Sequence, residues 1–435
     1  MNTQKALRGQ LLYFVDDPAS AGEAAWVHHA DGIVWIEHGR VRLADDAQHV
    51  LPQLPDGIEI ETFAHHLLVP GFIDTHIHYP QTEMVAAYGE RLLEWLETYT
   101  FPVERKFGDP DYAREIASIF LDELLRNGTT TALVFGSVHP ESVDAFFAEA
   151  QRRKLRMIAG KVMMDRNAPE YICDEAEQSY RDSKALIERW HGVDRLQYAV
   201  TPRFAPTSSE RQLDLAGRLL REHPGVYLHT HLAENREECA WVAELFPQAK
   251  HYLDVYDRAG LLSRRSVFAH GLHLCDDSCR RLRETGSAVA HCPSSNLFLG
   301  SGLFELDRLT EQGVHIGMGT DIGGGTSFSM LRTLADAYKI QQLRGHKLDP
   351  FRALYLATLG GARALDLEDR IGSFRTGCEA DIIALDLHAT PFLKFRTAQC
   401  GNLFETLFVL NTLGDDRAIA ATWVMGEIAH RRETR

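Results

Sequence analysis

The chain has no long apolar run. Nothing in its 435 residues approaches the ~18 uninterrupted apolar residues of a membrane-spanning helix. The opening stretch MNTQKALRGQLLYFVDD holds an apolar run of only five residues before two aspartates, too short for a secretion signal, so a soluble, cytoplasmic protein is expected. Glycine (33) and proline (16) are too scarce for a fibrous or low-complexity chain. The seven cysteines are odd in number, scattered and without a CxxC pair, which argues against a disulfide framework and a cysteine zinc site. Positive charge is in deficit: 46 Lys and Arg against 61 Asp and Glu leave −15. That sign repels nucleic-acid backbones and anionic membranes, so the expected partner is a neutral or cationic small molecule. No PCxxC follows His139-Pro-Glu141, and neither HExxH nor GxSxG occurs. These absences remove the cytidine-type zinc deaminases, the zincins and the nucleophile-elbow serine hydrolases.

What is present is the material of a large core, 45% apolar and 25% charged residues. Eight short, β-branched apolar runs alternate with amphipathic helical stretches, at 70–78, 129–136, 156–165, 196–203, 226–234, 267–273, 288–295 and 315–321. Eight βα units close a (β/α)8 TIM barrel, expected over 67–372. One helix between them is predicted to be capped by Asp109, opened by Pro110 and ended by Asn127-Gly128, with Ile116, Ile119, Phe120 and Leu124 on one apolar face. Another is predicted to open on the capping box Thr207-Ser-Ser-Glu210. The ends, 1–66 and 373–435, carry short strand-like runs broken by turn residues and predict a small β-sandwich domain assembled from both termini.

The first run ends in Asp74-Thr-His76-Ile-His78, and side chains two apart on a strand share a face, so His76 and His78 point the same way. They sit at the strand's C-terminal end, where barrel active sites are built. His231, His270 and Asp321 end the fifth, sixth and eighth runs. Neutral imidazoles with a hard carboxylate suit Zn²⁺ or Fe²⁺. Glu234, three residues beyond His231, falls in a proton-shuttle position, against which stands the plainer reading of a charge at a helix N-terminus. The triple glycine Gly323 to Gly325 reads as a turn, because no Lys-Ser/Thr follows it.

The motifs PGFIDTHIH, THLAEN, FAHGLHL and GMGTD resemble the metal-binding strand ends of the amidohydrolase superfamily, across almost the whole chain. Within it, HIHYPQ, TPRFAPTSS and HLAENREE are similar to the guanine deaminases. The resemblance implies that His76, His78, His231, His270 and Asp321 hold one divalent metal, zinc in the first place and iron as the alternative. It implies that Glu234 and Asp321 handle protons, that Gln81, Arg203 and Phe204 line a purine pocket, that the substrate is guanine, and that the chain forms a homodimer. The residue chemistry agrees. Arg203 offers a rigid fork of donors for the base's O6, Gln81 can donate and accept along a ring edge, and Phe204 gives a flat wall. Phe204 would read as ordinary core without the resemblance.

His229 shares a face with His231 one layer deeper and is its rival as a ligand; His273 and His291 are candidates for supporting roles around the metal. The fourth run ends Thr-Pro-Arg-Phe, with no lysine of the kind that bridges two metals in binuclear relatives, so one metal is expected, with Lys161 on the third run the one objector. The segment 82–105 is a candidate for shaping the pocket mouth. The competing readings are hydrolysis of another heterocycle, an s-triazine, pterin or adenosine-like compound, and a non-catalytic scaffold. The filled set of ligand positions weighs against the scaffold.

Overall fold

A computed structural model describes residues 4–88 and 92–433. Four strands come first: β1 (Gln4–Phe14), β2 (Trp26–Glu37), β3 (Arg40–Asp46) and β4 (Glu59–Pro70). After Gly71 the chain enters the barrel with β5 (Phe72–His78), followed by β6 (Thr129–Phe135), β7 (Arg156–Gly160) and the short β8 (Val162–Met163). The barrel continues with β9 (Gln197–Pro202), β10 (Tyr227–Leu232), β11 (Ser266–His270), β12 (Ala288–His291) and β13 (His315–Met318). The C-terminal part adds β14 (Ile382–Asp386), β15 (Ile419–Val424) and β16 (Glu427–Arg431).

The barrel strands run in the order β13-β12-β11-β10-β9-β7-β6-β5, all parallel, with β8 on β9. All eight apolar runs are therefore strands of one ring, the third broken at Lys161 into β7 and β8. β5 and β6 are buried at every position, as expected of strands covered on one face by barrel filling and on the other by helices. The ring is drawn shut between β13 and β5, where Thr75 Oγ1 donates to the Met318 carbonyl (2.9 Å) and the Asp321 N–H to the His76 carbonyl (2.9 Å). Glycine permits this approach: a Cβ on Gly317 would lie 2.4 Å from Thr75 Cγ2, and one on Gly319 3.0 Å from His76 Cβ.

The helix Pro110–Arg126 is capped by Asp109, whose carboxylate accepts from the Asp111 (2.9 Å) and Tyr112 (3.4 Å) N–H groups. Ile116, Phe120 and Leu124 are buried, but Ile119 is 46% exposed, contrary to expectation. At about 100° per residue it points roughly 135° from the centre of the buried stripe. The next correction concerns the helix Glu210–Glu222. Its N-cap is Ser209, which accepts from Gln212 N–H (3.1 Å), while Thr207 belongs to the preceding 3₁₀ turn. A capping box does occur elsewhere, between Asn235 and Glu238.

The terminal strands form a second, seven-stranded sheet in the order β16-β15-β14-β4-β1-β2-β3. Only β1 and β4 pair in parallel. Leu7, Leu11, Val34, Phe63, Ile382 and Trp423 share one apolar cluster on it. Buried ion pairs tie this sheet to the N-terminal end of the barrel. Arg156, at the start of β7, donates to Glu379 (2.8 Å), and Arg195 pairs with Glu379 (2.8 Å) and Asp381.

Candidate active site

Four strand ends bring five side chains to one point at the C-terminal rim. His76 and His78 close β5, His231 lies near the end of β10, His270 ends β11, and Asp321 follows β13 by three residues. Nε2 of His78 lies 3.2 Å from Nε2 of both His76 and His231. One Asp321 oxygen lies 3.2 Å from His76 Nε2 and 3.4 Å from His78 Nε2, the other 3.7 Å from His270 Nε2. His270 (φ 72°), Asp321 (φ 53°) and Ala233 (φ 49°) hold left-handed backbone unusual for residues with a Cβ, and all three stand where strands give way to the site.

The outward ring nitrogens explain how the inward ones are oriented. His231 Nδ1 faces the Arg203 carbonyl at 2.7 Å and His270 Nδ1 the Asn296 Oδ1 at 2.9 Å. Both partners accept, so both Nδ1 atoms carry the proton and both Nε2 lone pairs point at the common centre. His76 Nδ1 lies 2.7 Å from His229 Nε2. His229 thus stands behind His76 and does not displace His231 from the ring. Burial, reinforced by neighbouring imidazoles, holds His76, His78, His229 and His231 well below the ordinary histidine value. Neutral nitrogens so closely packed, with a carboxylate against them, are the donor set of a divalent cation, and the residues fit one. Cys292, absent from the predicted set, brings its sulfur into the same neighbourhood as His76 and Asp321. Burial pushes its thiol up, so it stays protonated.

Glu234 reaches this centre from the turn after β10. Its Oε2 lies 3.4 Å from His270 Nε2, and Ser301 Oγ donates to its Oε1 at 3.0 Å. Burial, then the charge of Asp321, pushes its carboxyl up to about 8, whereas Asp321, also raised by burial, reaches about 6. The two carboxyls are therefore set apart, one proton-holding and one proton-accepting near neutrality. Glu238, in the next helical turn, accepts from the N–H groups of Glu234 (2.9 Å) and Asn235 (3.0 Å) and from Tyr252 OH (2.6 Å). It closes the capping box of the helix Arg236–Leu245, and so fixes the backbone that carries Glu234. Asp74 accepts from the N–H groups of His76 (3.1 Å) and Thr320 (3.1 Å), binding β5 to the residue before Asp321. The Asn-x-x-Glu spacing was the available signal for Glu238.

Above the ring lies a pocket with His78, His231, His270, Glu234 and Asp321 on its floor. Phe204, Trp95, Leu96 and Leu299 wall it, and Gln81 and Arg203 stand at its polar side. The donor fork of Arg203 is not left wholly to a ligand. Instead, Glu104 accepts from its Nη1 (2.7 Å) and Nη2 (3.2 Å), and also from Gln81 Nε2 (2.9 Å). Nothing in the pattern around PVERKF marked Glu104. The segment 82–105 does reach the pocket, through Leu92, Trp95 and Leu96, although its residues 89–91 lie outside the described ones. His291 stacks on Phe304 (centroids 4.2 Å apart), and neither of its ring nitrogens is hydrogen-bonded to a described residue. His273 is half-buried, and its Nε2 makes no hydrogen bond to a described residue. Lys161 turns away to Asp174 and to Ser179 (3.1 Å) of the helix Ala176–Trp190.

Comparison with known proteins agrees with this arrangement. The model of the Amidohydrolase family matches residues 67–429. The chain is 52% identical over 434 residues to guanine deaminase of Escherichia coli (strain K12), covering 99% of each. It superposes on the solved structure of E. coli guanine deaminase with a TM-score of 0.96, at 50% identity over 100% of both chains. It also superposes on guanine deaminase from C. acetobutylicum with guanine bound in the active site, with a TM-score of 0.89 and 26% identity over 98% of this chain and 100% of that one. The chain belongs to the amidohydrolase family, in the group of the guanine deaminases.

Proposed function

We propose that the chain hydrolyses guanine to xanthine and ammonia with one divalent metal, zinc in the first place and iron as the other ion its donors admit. The supporting observation is the ring of inward-facing Nε2 atoms and Asp321 opening into a pocket walled by Phe204, Trp95 and Leu299 with Gln81 and Arg203 at its polar side, in a chain similar over its whole length to guanine deaminases. His76, His78, His231, His270 and Asp321 hold the metal, which supplies the Lewis acidity that makes hydroxide available from water at neutral pH. Asp321 takes the proton that water loses as its oxygen adds to C2 of the base. Glu234 gives its proton to ring N3, so that no negative charge builds on the ring. Asp321 passes its proton to the exocyclic nitrogen, which leaves as ammonia when its bond to C2 breaks, and the added hydroxyl returns its proton to Glu234 as the C2 carbonyl of xanthine forms. Arg203 and Gln81 hold the polar edge of the base, and Phe204 lies against its face. Catalysis is assigned to the barrel, 67–372, with 1–66 and 373–435 a separate small domain. Cytoplasmic residence and a homodimer complete the proposal.

The test is ammonia release from guanine, adenine, cytosine, guanosine and an s-triazine by protein of measured metal content. Release from guanine alone, abolished by a chelator and restored by Zn²⁺, is expected. Activity only on another heterocycle would overturn the substrate, and a metal-free, inactive protein the whole reading.

A further inference from the structure

We propose that Glu104 is a positioning and specificity-determining residue of the pocket, holding Arg203 and Gln81 in the arrangement that reads the base; this rests on the guanine reading above. Glu104 is fully buried, and its carboxylate accepts N–H groups from both residues at once. Arg203 is 3% exposed, and its guanidinium also lies over the Phe101 ring, 5.4 Å from the centroid. One helical turn, Phe101–Glu104, therefore grips the arginine by charge and by an aromatic face.

The consequence for Gln81 is an amide with a direction. Its nitrogen is committed to Glu104 at 2.9 Å, with His78 Nδ1 a longer contact at 3.2 Å. Its oxygen rests against Gly323, where a Cβ would fall 1.9 Å away and where φ is +118°, so no other residue fits. Turned the other way, the amide oxygen would face a carboxylate that can only accept. Glu104 thus presents the Gln81 oxygen as an acceptor and leaves the unshared Arg203 N–H groups as donors. An acceptor beside donors matches the N–H and C=O groups along guanine's edge and mismatches adenine's.

The experiment compares wild type, Glu104→Gln, Glu104→Asp, Arg203→Met and the double variant Glu104→Gln/Arg203→Met at equal metal content. Glu104→Gln is expected to raise KM for guanine about 30- to 100-fold with kcat within about fivefold, because it removes charge-assisted contacts that hold binding groups. Glu104→Asp should recover part of that loss. The double variant should lose far less than the product of the two single losses. A KM within about threefold of wild type in Glu104→Gln, or multiplicative losses in the double variant, would overturn the proposal. Crystals of ligand-free wild type and Glu104→Gln give a readout that needs no turnover: the Arg203 guanidinium and the Gln81 amide are expected in new rotamers, and unchanged positions overturn the proposal. If Glu104→Gln does not fold, Glu104→Asp carries both readouts. A wild type inert toward guanine would sink the deamination reading, with the crystals still deciding the role of Glu104.

Discussion

Glu234 shows how one side chain acquires a chemical role from its surroundings. A solvated glutamate is ionised at neutral pH, but burial and the nearby Asp321 push this one up to about 8, and among the described residues its one hydrogen-bond donor is the Ser301 hydroxyl. A carboxyl in that state can give a proton to a ring nitrogen. Glu234→Gln keeps the shape and removes the proton transfer, so kcat should fall by about 10²–10⁴-fold. Metal stoichiometry should be unchanged, since Glu234 is not among the five proposed ligands. Steady-state kinetics with metal analysis on the same sample check this, and near-wild-type turnover would reassign the proton donor.

At the scale of elements, the site depends on how tightly β13 closes against β5. Gly319 follows β13 directly and passes the end of β5 with no room for a side chain: a Cβ there would lie 2.9 Å from Cys292 Sγ and 3.0 Å from both the Cβ and the carbonyl oxygen of His76. Two of those neighbours belong to a proposed metal ligand. Gly319→Ala should therefore destabilise the fold by about 1–3 kcal/mol, the usual range for overpacking a filled core. Because the displaced atoms are those of His76, it should also weaken metal retention. Thermal melts and zinc content after dialysis measure the two effects, and a variant unchanged in both would show that the closure is slack.

For the whole molecule, acid should be destabilising, and the sign follows from counting protons. His66, His139, His191, His229, His291 and His315 are held below their ordinary value of 6.5, chiefly by burial. Below pH ~6.5 the unfolded chain takes up protons at these positions that the folded chain refuses, so stability is fully present above that pH and falls as pH drops through it. Asp74, Glu234, Glu238 and Asp321 are raised to between about 6 and about 8 and act in the opposite direction. Over pH 7.5 to 5.5 these four carboxyls offset about five to six histidines, and His28, His273, His388 and His430, also held low, bring the histidines so shifted outside the proposed metal ligands to ten. Urea midpoints should therefore fall between pH 7.5 and 5.5; a midpoint that rises toward acid would contradict this balance.

What the sequence determined by itself was local in origin. Eight apolar runs at strand length specify eight strands, and the period of two puts His76 and His78 on one face whatever the rest of the chain does. Strand ends place His231, His270 and Asp321 at the same rim once the barrel closes. Even local reading had limits, since Ile119 lies off the buried stripe and the capping residue of a helix shifted from Thr207 to Ser209. What only the tertiary structure decided were pairings across long stretches of chain. Arg203 and Glu104 are 99 positions apart, and His76 and His229 are 153 apart. No periodicity couples such positions. A carboxylate in a helical turn reads as solvated surface until folding removes its water, and only then does it need Arg203 and Gln81 as partners. The same holds for the terminal sheet, whose strand order, with β1 beside β4 and β4 beside β14, is set by which buried faces meet and not by any residue within a strand.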